Sequence, residues 1–137
     1  MKLLLRLYVT VFLTALLATP ALASRIEISS PGQQAIPLAL NRILPITTAH
    51  PEIAAEFDRV LGYDLEFSGL FRFIDPASFM RDAENLGLNR SDVNFPQWRV
   101  LGSELLIKGG YQLNGDQLTV DMRLYDVTSQ RLLTGRR

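Results

Sequence analysis

Pro51-Glu52-Ile53-Ala54-Ala55-Glu56-Phe57-Asp58-Arg59-Val60-Leu61-Gly62-Tyr63-Asp64-Leu65-Glu66-Phe67, running on through Ser68-Gly69-Leu70 into Phe71-Arg72-Phe73-Ile74, is the stretch that decides the fold class. Ile53, Phe57, Val60, Leu61 and Leu65 recur at offsets of 4, 7, 8 and 12, which gathers them on one side of a helix with 3.6 residues per turn. Pro51 suits the first turn, where its missing N–H is harmless, and Gly69 suits the left-handed position that ends a helix. Phe71 to Ile74 is β-favouring in composition. A helix that ends and passes directly into a strand points to an α/β chain.

Working outward, Ile36-Pro37-Leu38-Ala39-Leu40 has the length of a strand, and Pro37 places it at a strand end or a sheet edge. On the other side, Asp75 is placed to cap a short helix begun by Pro76. Residues 82 to 93 are polar and irregular. Asn94 is a candidate cap for a second helix, Phe95 to Leu101, with Gly102 as its stop signal. The last third is β-rich. Glu104 to Tyr111 is an apolar run, and Asn114-Gly115 is a pair favoured by type I′ turns. Leu118, Val120, Met122 and Leu124 then alternate with polar residues. Leu132-Leu133-Thr134 reads as the start of a further strand. The predicted fold is α/β, a mixed β-sheet with two helices packed on one face.

The first 23 residues read as a signal peptide helix. Lys2 and Arg6 precede an apolar stretch from Leu7 to Ala18, followed by Pro20 and the small-x-small triplet Ala21-Leu22-Ala23. A spanning helix needs roughly 20 apolar residues, and this core is shorter. Cleavage is expected between Ala23 and Ser24, leaving 114 residues with 12 basic and 14 acidic side chains, a formal charge of −2. That balance argues against nucleic acid as a partner. With no cysteine in the chain, there is neither a lipid-modified N-terminal cysteine nor a disulfide. The product is expected to be soluble, without membrane insertion after cleavage. Residues 24–34, which combine Arg25-Ile26-Glu27-Ile28 with Ser29-Ser30-Pro31-Gly32, form a flexible arm ahead of a domain spanning 35–137.

The sequence carries no visible reaction. His50 is the only histidine and stands beside a helix start with no nucleophile motif near it. Asp58 and Asp64, or Glu52 and Glu56, could be paired carboxylates, but an acidic solvated helix face explains them better. Gly109-Gly110 lies in a strand pattern without the spacing or the lysine of a phosphate loop, so a bulge or a close backbone approach is expected there. Trp98, beside Phe95 and Leu101, is read as core. No catalytic residue, metal site or cofactor is assigned.

Asp64-Leu65-Glu66-Phe67-Ser68-Gly69-Leu70-Phe71 resembles the helix-end signature Asp-Leu-x-x-Ser-Gly-x-Phe of the TolB family's N-terminal domain. The resemblance continues in order through Asn94-Phe95-Pro96-Gln97-Trp98, Gly102-Ser103-Glu104-Leu105-Leu106-Ile107-Lys108-Gly109, and Leu118-Thr119-Val120 with Arg123-Leu124-Tyr125-Asp126-Val127. It implies a domain similar in fold to the anticodon-binding domains of some synthetases, incomplete here at its C-terminus because the β-propeller and the helix that precedes it are not reached. It also implies a non-enzymatic component of the periplasmic Tol-Pal system that links TolA and Pal. That role serves outer-membrane integrity and outer-membrane invagination during cell division. The implied partner site is the arm, Ser24, Arg25, Ile26, Glu27, Ile28, Ser29 and Ser30, offered to the C-terminal domain of TolA by strand addition. Pal contact requires a propeller in the full-length protein. Alternatives from other classes are a stand-alone periplasmic adaptor domain and a periplasmic hydrolase or its inhibitor sharing the fold.

Overall fold

The computed structural model describes residues 34–137; the leader assigned to 1–23 and the partner-binding residues 24–30 lie outside the described residues. The apolar run that starts at Leu105 becomes the spine of the sheet, β4 (Leu105–Asn114), with Leu106 through Tyr111 all buried. A strand segment buried on both faces is expected to be continuously apolar, and Leu106 to Tyr111 is, apart from one lysine. β1 (Ile36–Leu40) runs parallel to β4, pairing Leu38 with Leu105 and Leu40 with Ile107. On its other side β1 is parallel to β3 (Phe71–Phe73). β2 (Leu44–Pro45) is a two-residue continuation beside Gly110 and Tyr111 of β4. β5 (Gln117–Asp126) and β6 (Arg131–Arg136) follow in antiparallel succession, so the main order is β3-β1-β4-β5-β6.

β1 is therefore an interior strand. Pro37 is tolerated because it sits at the strand's end, before its first residue paired with β4, as expected for a residue with no N–H to donate. Its carbonyl accepts the Glu104 N–H at 3.0 Å. Two residues on, the Ala39 N–H donates to Ser103 Oγ (3.1 Å), and that hydroxyl donates to the Leu105 carbonyl (2.6 Å).

The long helix is α1 (Pro51–Phe67), with Pro51 in its first turn and Gly69 at φ +67° just past its end. From there the chain enters β3 at once, and the Leu70 carbonyl accepts the Ile36 N–H at 2.9 Å. The short helix is α2 (Phe95–Val100), closed by Gly102 at φ +74°. Asp75 caps the 3-10 turn begun by Pro76, its Oδ1 accepting the Ala77 N–H at 2.9 Å. Asn94 does not cap α2 with its side chain; its own N–H is used instead, donating to Asp82 Oδ1 at 3.0 Å.

The mixed sheet and its two helices match the expectation, but the helices lie on opposite faces rather than together. Neighbouring residues of a strand point to opposite sides, and Ala39 packs in the cluster with Phe95 and Trp98 of α2. Leu40, the next residue, faces α1 at Gly62, where an added Cβ would stand 3.8 Å from Leu40 Cδ2. The core on the α2 side comprises Ala39, Ile74, Val93, Phe95, Trp98, Leu106, Tyr125 and Val127. Edge-to-face ring pairs join Phe79 to Trp98 (5.0 Å) and Phe95 to Tyr125 (5.6 Å). Trp98, 1% exposed, anchors this layer as expected of a core tryptophan, and truncating such a ring costs about 3–5 kcal/mol. By contrast, no residue of α1 is buried.

Two turn readings change in detail. The β4–β5 hairpin pairs Asn114 with Gln117, so Gly115-Asp116 is the two-residue loop. Gly115 at φ +59° with no positive φ at Asp116 follows the Gly-first pattern of type II′ rather than type I′. Gly109-Gly110 is a close approach within a regular strand. A Cβ on Gly109 would come 2.8 Å from Ile43 Cγ2.

Candidate functional site

The densest polar constellation among the described residues is buried beneath α2. Lys108, in the middle of apolar β4, has its side chain 1% exposed, and Asp82 has its side chain 4% exposed. Lys108 Nζ donates to the Asp82 carbonyl (2.9 Å) and to Asp82 Oδ2 (3.2 Å). Trp98 Nε1–H also donates to Oδ2, at 2.6 Å, while Oδ1 takes the Asn94 N–H. The Asp82 N–H in turn donates to Gln97 Oε1 at 3.1 Å. Each charge is thereby paired and hydrogen-bonded, as a buried ion pair must be. The function of this group is structural, since it fastens the irregular segment 81–94 and α2 to the central strand. The sequence signal that could have found it was Lys108 itself, a lone cation inside an apolar run.

The residues weighed for chemistry are scattered. His50 ends the loop before α1, its N–H donating to Tyr111 Oη at 2.7 Å and its Nδ1 lying 3.4 Å from Glu52 Oε1. Asp58 is half-buried, and its Oδ1 accepts the Ile43 N–H at 3.2 Å, tying the β1–β2 connection to α1. Burial pushes the Asp58 carboxyl above its ordinary value, opposed by the Ile43 N–H and by Arg42. Glu56 forms an exposed pair with Arg59 on the same helix, and that guanidinium holds its carboxyl below the usual value. Asp64 is exposed. Asp121 on β5 pairs with Arg123 at 3.2 Å. The structure does not bring these groups to one place. No three His, Cys, Asp or Glu side chains among the described residues are grouped to hold a metal ion. No helix among them is long and apolar enough to cross a membrane.

What the described residues show of the arm is its point of attachment. Residue 34 leads into Ile36 and so into β1, between β3 and β4. The fold and this polar cluster define a class, a small mixed α/β domain whose one buried ion pair among the described residues holds its core together. Residues 24–133 match the family described as TolB amino-terminal domain, and the chain belongs to that family. It is 52% identical over 134 residues to the Tol-Pal system protein TolB of Syntrophotalea carbinolica, an overlap of 96% of this chain and 31% of that protein. The Tol-Pal system protein TolB of Desulfosudis oleivorans is 31% identical over 114 residues, covering 82% of this chain and 26% of that protein. The chain thus spans less than a third of the length of these relatives. Among solved structures, the LpoB C-terminal domain from Escherichia coli superposes with a TM-score of 0.57 at 18% identity, over 79% of this chain and 84% of that one. Lipoprotein GNA1162 from Neisseria meningitidis gives 0.52 at 13%, over 73% and 76%. At such identities the likeness is one of fold.

Proposed function

We propose that this chain is the amino-terminal part of a periplasmic, non-enzymatic component of the Tol-Pal system, acting by binding proteins rather than by transforming a substrate. The observation that carries the reading is where the family match starts. It begins at residue 24, the first residue behind the expected cleavage site, and it runs to residue 133, inside β6. In this reading removal of residues 1–23 frees Ser24 to Ser30 as a partner segment for the C-terminal domain of TolA. Ile26 and Ile28 share one side of an extended strand, and backbone hydrogen bonds supply affinity. Contact with Pal belongs to a propeller in the full-length protein. Together the two contacts link inner-membrane TolA to Pal, serving outer-membrane integrity and invagination at division.

The test is site-specific photo-crosslinking in cells carrying the full-length protein, with the crosslinker placed at residue 26 or 28 and, as a comparison, at exposed Asp116. The reading expects a TolA adduct from 26 and 28 and none from 116. If all three positions give no TolA adduct, the arm is not the partner site.

A further inference from the structure

The parallel strands reverse their order at β1. From β1 the chain crosses the α1 face to β3, then returns on the α2 side, where Phe79 meets Trp98, to reach β4 on the other flank of β1. The segments that follow β1 and β3 therefore leave for opposite faces and part outside the carboxyl ends of both strands. In open α/β sheets, ligands bind in a crevice at such a reversal.

Here the parting is a crevice of about 960 Å³, large enough for a small organic molecule. Its floor is Leu40 to Pro45. One wall is the first half of α1, through Ala54 and Ala55, and the other is the segment 76–84, through Phe79 and Met80. Hydrogen bonds fix the floor to both walls. Asn41 Nδ2 donates to the Ala83 carbonyl at 2.9 Å, and the Ile43 N–H donates to Asp58 Oδ1 at 3.2 Å. The residues that line the crevice all lie between Leu40 and Tyr111, and these two bonds fasten its floor to its walls.

Its charges are of both signs and are not spent on one another. Arg42, Arg81, Asp58 and Glu84 line the crevice, and among the described residues none of the four forms an ion pair. Arg42, Arg81 and Glu84 are exposed, whereas Asp58 is half-buried. Burial raises the Asp58 carboxyl in spite of Arg42 nearby, and a cation seated against it would offset that cost. Between apolar walls such a cation needs an apolar stem, and the two exposed guanidiniums suit a carboxylate at the stem's far end.

We infer that this crevice is a small-molecule site, which takes a zwitterion with an ammonium for Asp58, a short apolar stem, and a carboxylate for Arg42 and Arg81. The site is separate from the arm at 24–30 and does not rest on the Tol-Pal reading.

The test titrates the full-length mature protein with 6-aminohexanoate and 8-aminooctanoate, with hexanoate and hexylamine as comparisons, and measures binding and amide exchange together. The expected result is binding of at least one zwitterion with slowed exchange at residues 41–44 and 81–84. Hexanoate, hexylamine, and the zwitterion against D58N or R42Q/R81Q should each bind about tenfold more weakly, the worth of one charged hydrogen bond. D58N keeps an acceptor for the Ile43 N–H, and the hexanoate and hexylamine comparisons need no variant at all. No binding by either zwitterion would overturn the proposal. So would hexanoate or hexylamine binding as tightly as the zwitterion, undiminished binding by folded D58N, or protection confined to other residues.

Discussion

Asp82 shows how one side chain can organise a domain that has no cysteine to cross-link it. Its carboxylate receives Trp98, Asn94 and Lys108 at once, so Asp82→Ala leaves an ammonium buried without its counter-charge. Such a change costs about 3–5 kcal/mol, to be read from the urea midpoint of the mature protein. Replacing both partners by uncharged groups, D82N with K108M, is expected to cost less than the sum of the single changes, because neither charge is then stranded. Asp58 carries the opposite lesson. Its folded-state pKa is raised, chiefly by burial, so the native state holds the proton more tightly than the unfolded chain. Its contribution is present below the ordinary aspartate pKa and is lost as pH rises through the raised one. Asp58→Asn keeps an acceptor for the Ile43 N–H and removes that loss. The variant is expected to gain stability relative to the parent as pH rises from the ordinary aspartate pKa through the raised one, and a difference that shrinks over that rise would refute the assignment. The lowered carboxyls of Asp92, held by Asn89, and Asp126, held by Ser129, act with the opposite sign. They are common to both proteins and drop out of the difference.

At the level of elements, the long helix, the apolar central strand and the hairpin were legible because each is written in local periodicity. Ile53 to Leu65 kept a helical stripe, and Gly69 took the left-handed stop it was read to need. The faces were not legible, since which side of the sheet receives α1 depends on whether Ala39 or Leu40 points toward it. That is settled by the pairing of β1 with β4, a contact between residues more than sixty positions apart. The buried ion pair was missed for the same reason. Asp82 lies in a polar, irregular stretch, and only the tertiary fold brings it to Lys108. The one-residue shift of the hairpin turn reflects the ladder pairing Asn114 with Gln117, which local turn preference does not encode. Two glycines separate local preference from packing. At Gly62 an added methyl meets nothing nearer than 3.8 Å, so Gly62→Ala should stabilise by about 0.5–1 kcal/mol through helix entropy. At Gly109 the methyl would meet Ile43 at 2.8 Å and the Asp121 carbonyl at 3.3 Å, so Gly109→Ala should destabilise by about 1–3 kcal/mol. Thermal melts of the two variants should shift in opposite directions.

For the whole molecule, the proposed reading joins the leader expected at residues 1–23 to a family match that begins at residue 24. The arm enters the sheet through an interior strand, so tension on residues 24–30 would be borne by β1 and its ladders to β3 and β4. The most direct measurement is titration calorimetry of the TolA C-terminal domain against the full-length mature protein and against the same protein lacking residues 24–30. The account predicts binding by the first and its loss, with unchanged folding by circular dichroism, in the second. Equal affinity for the two would contradict it.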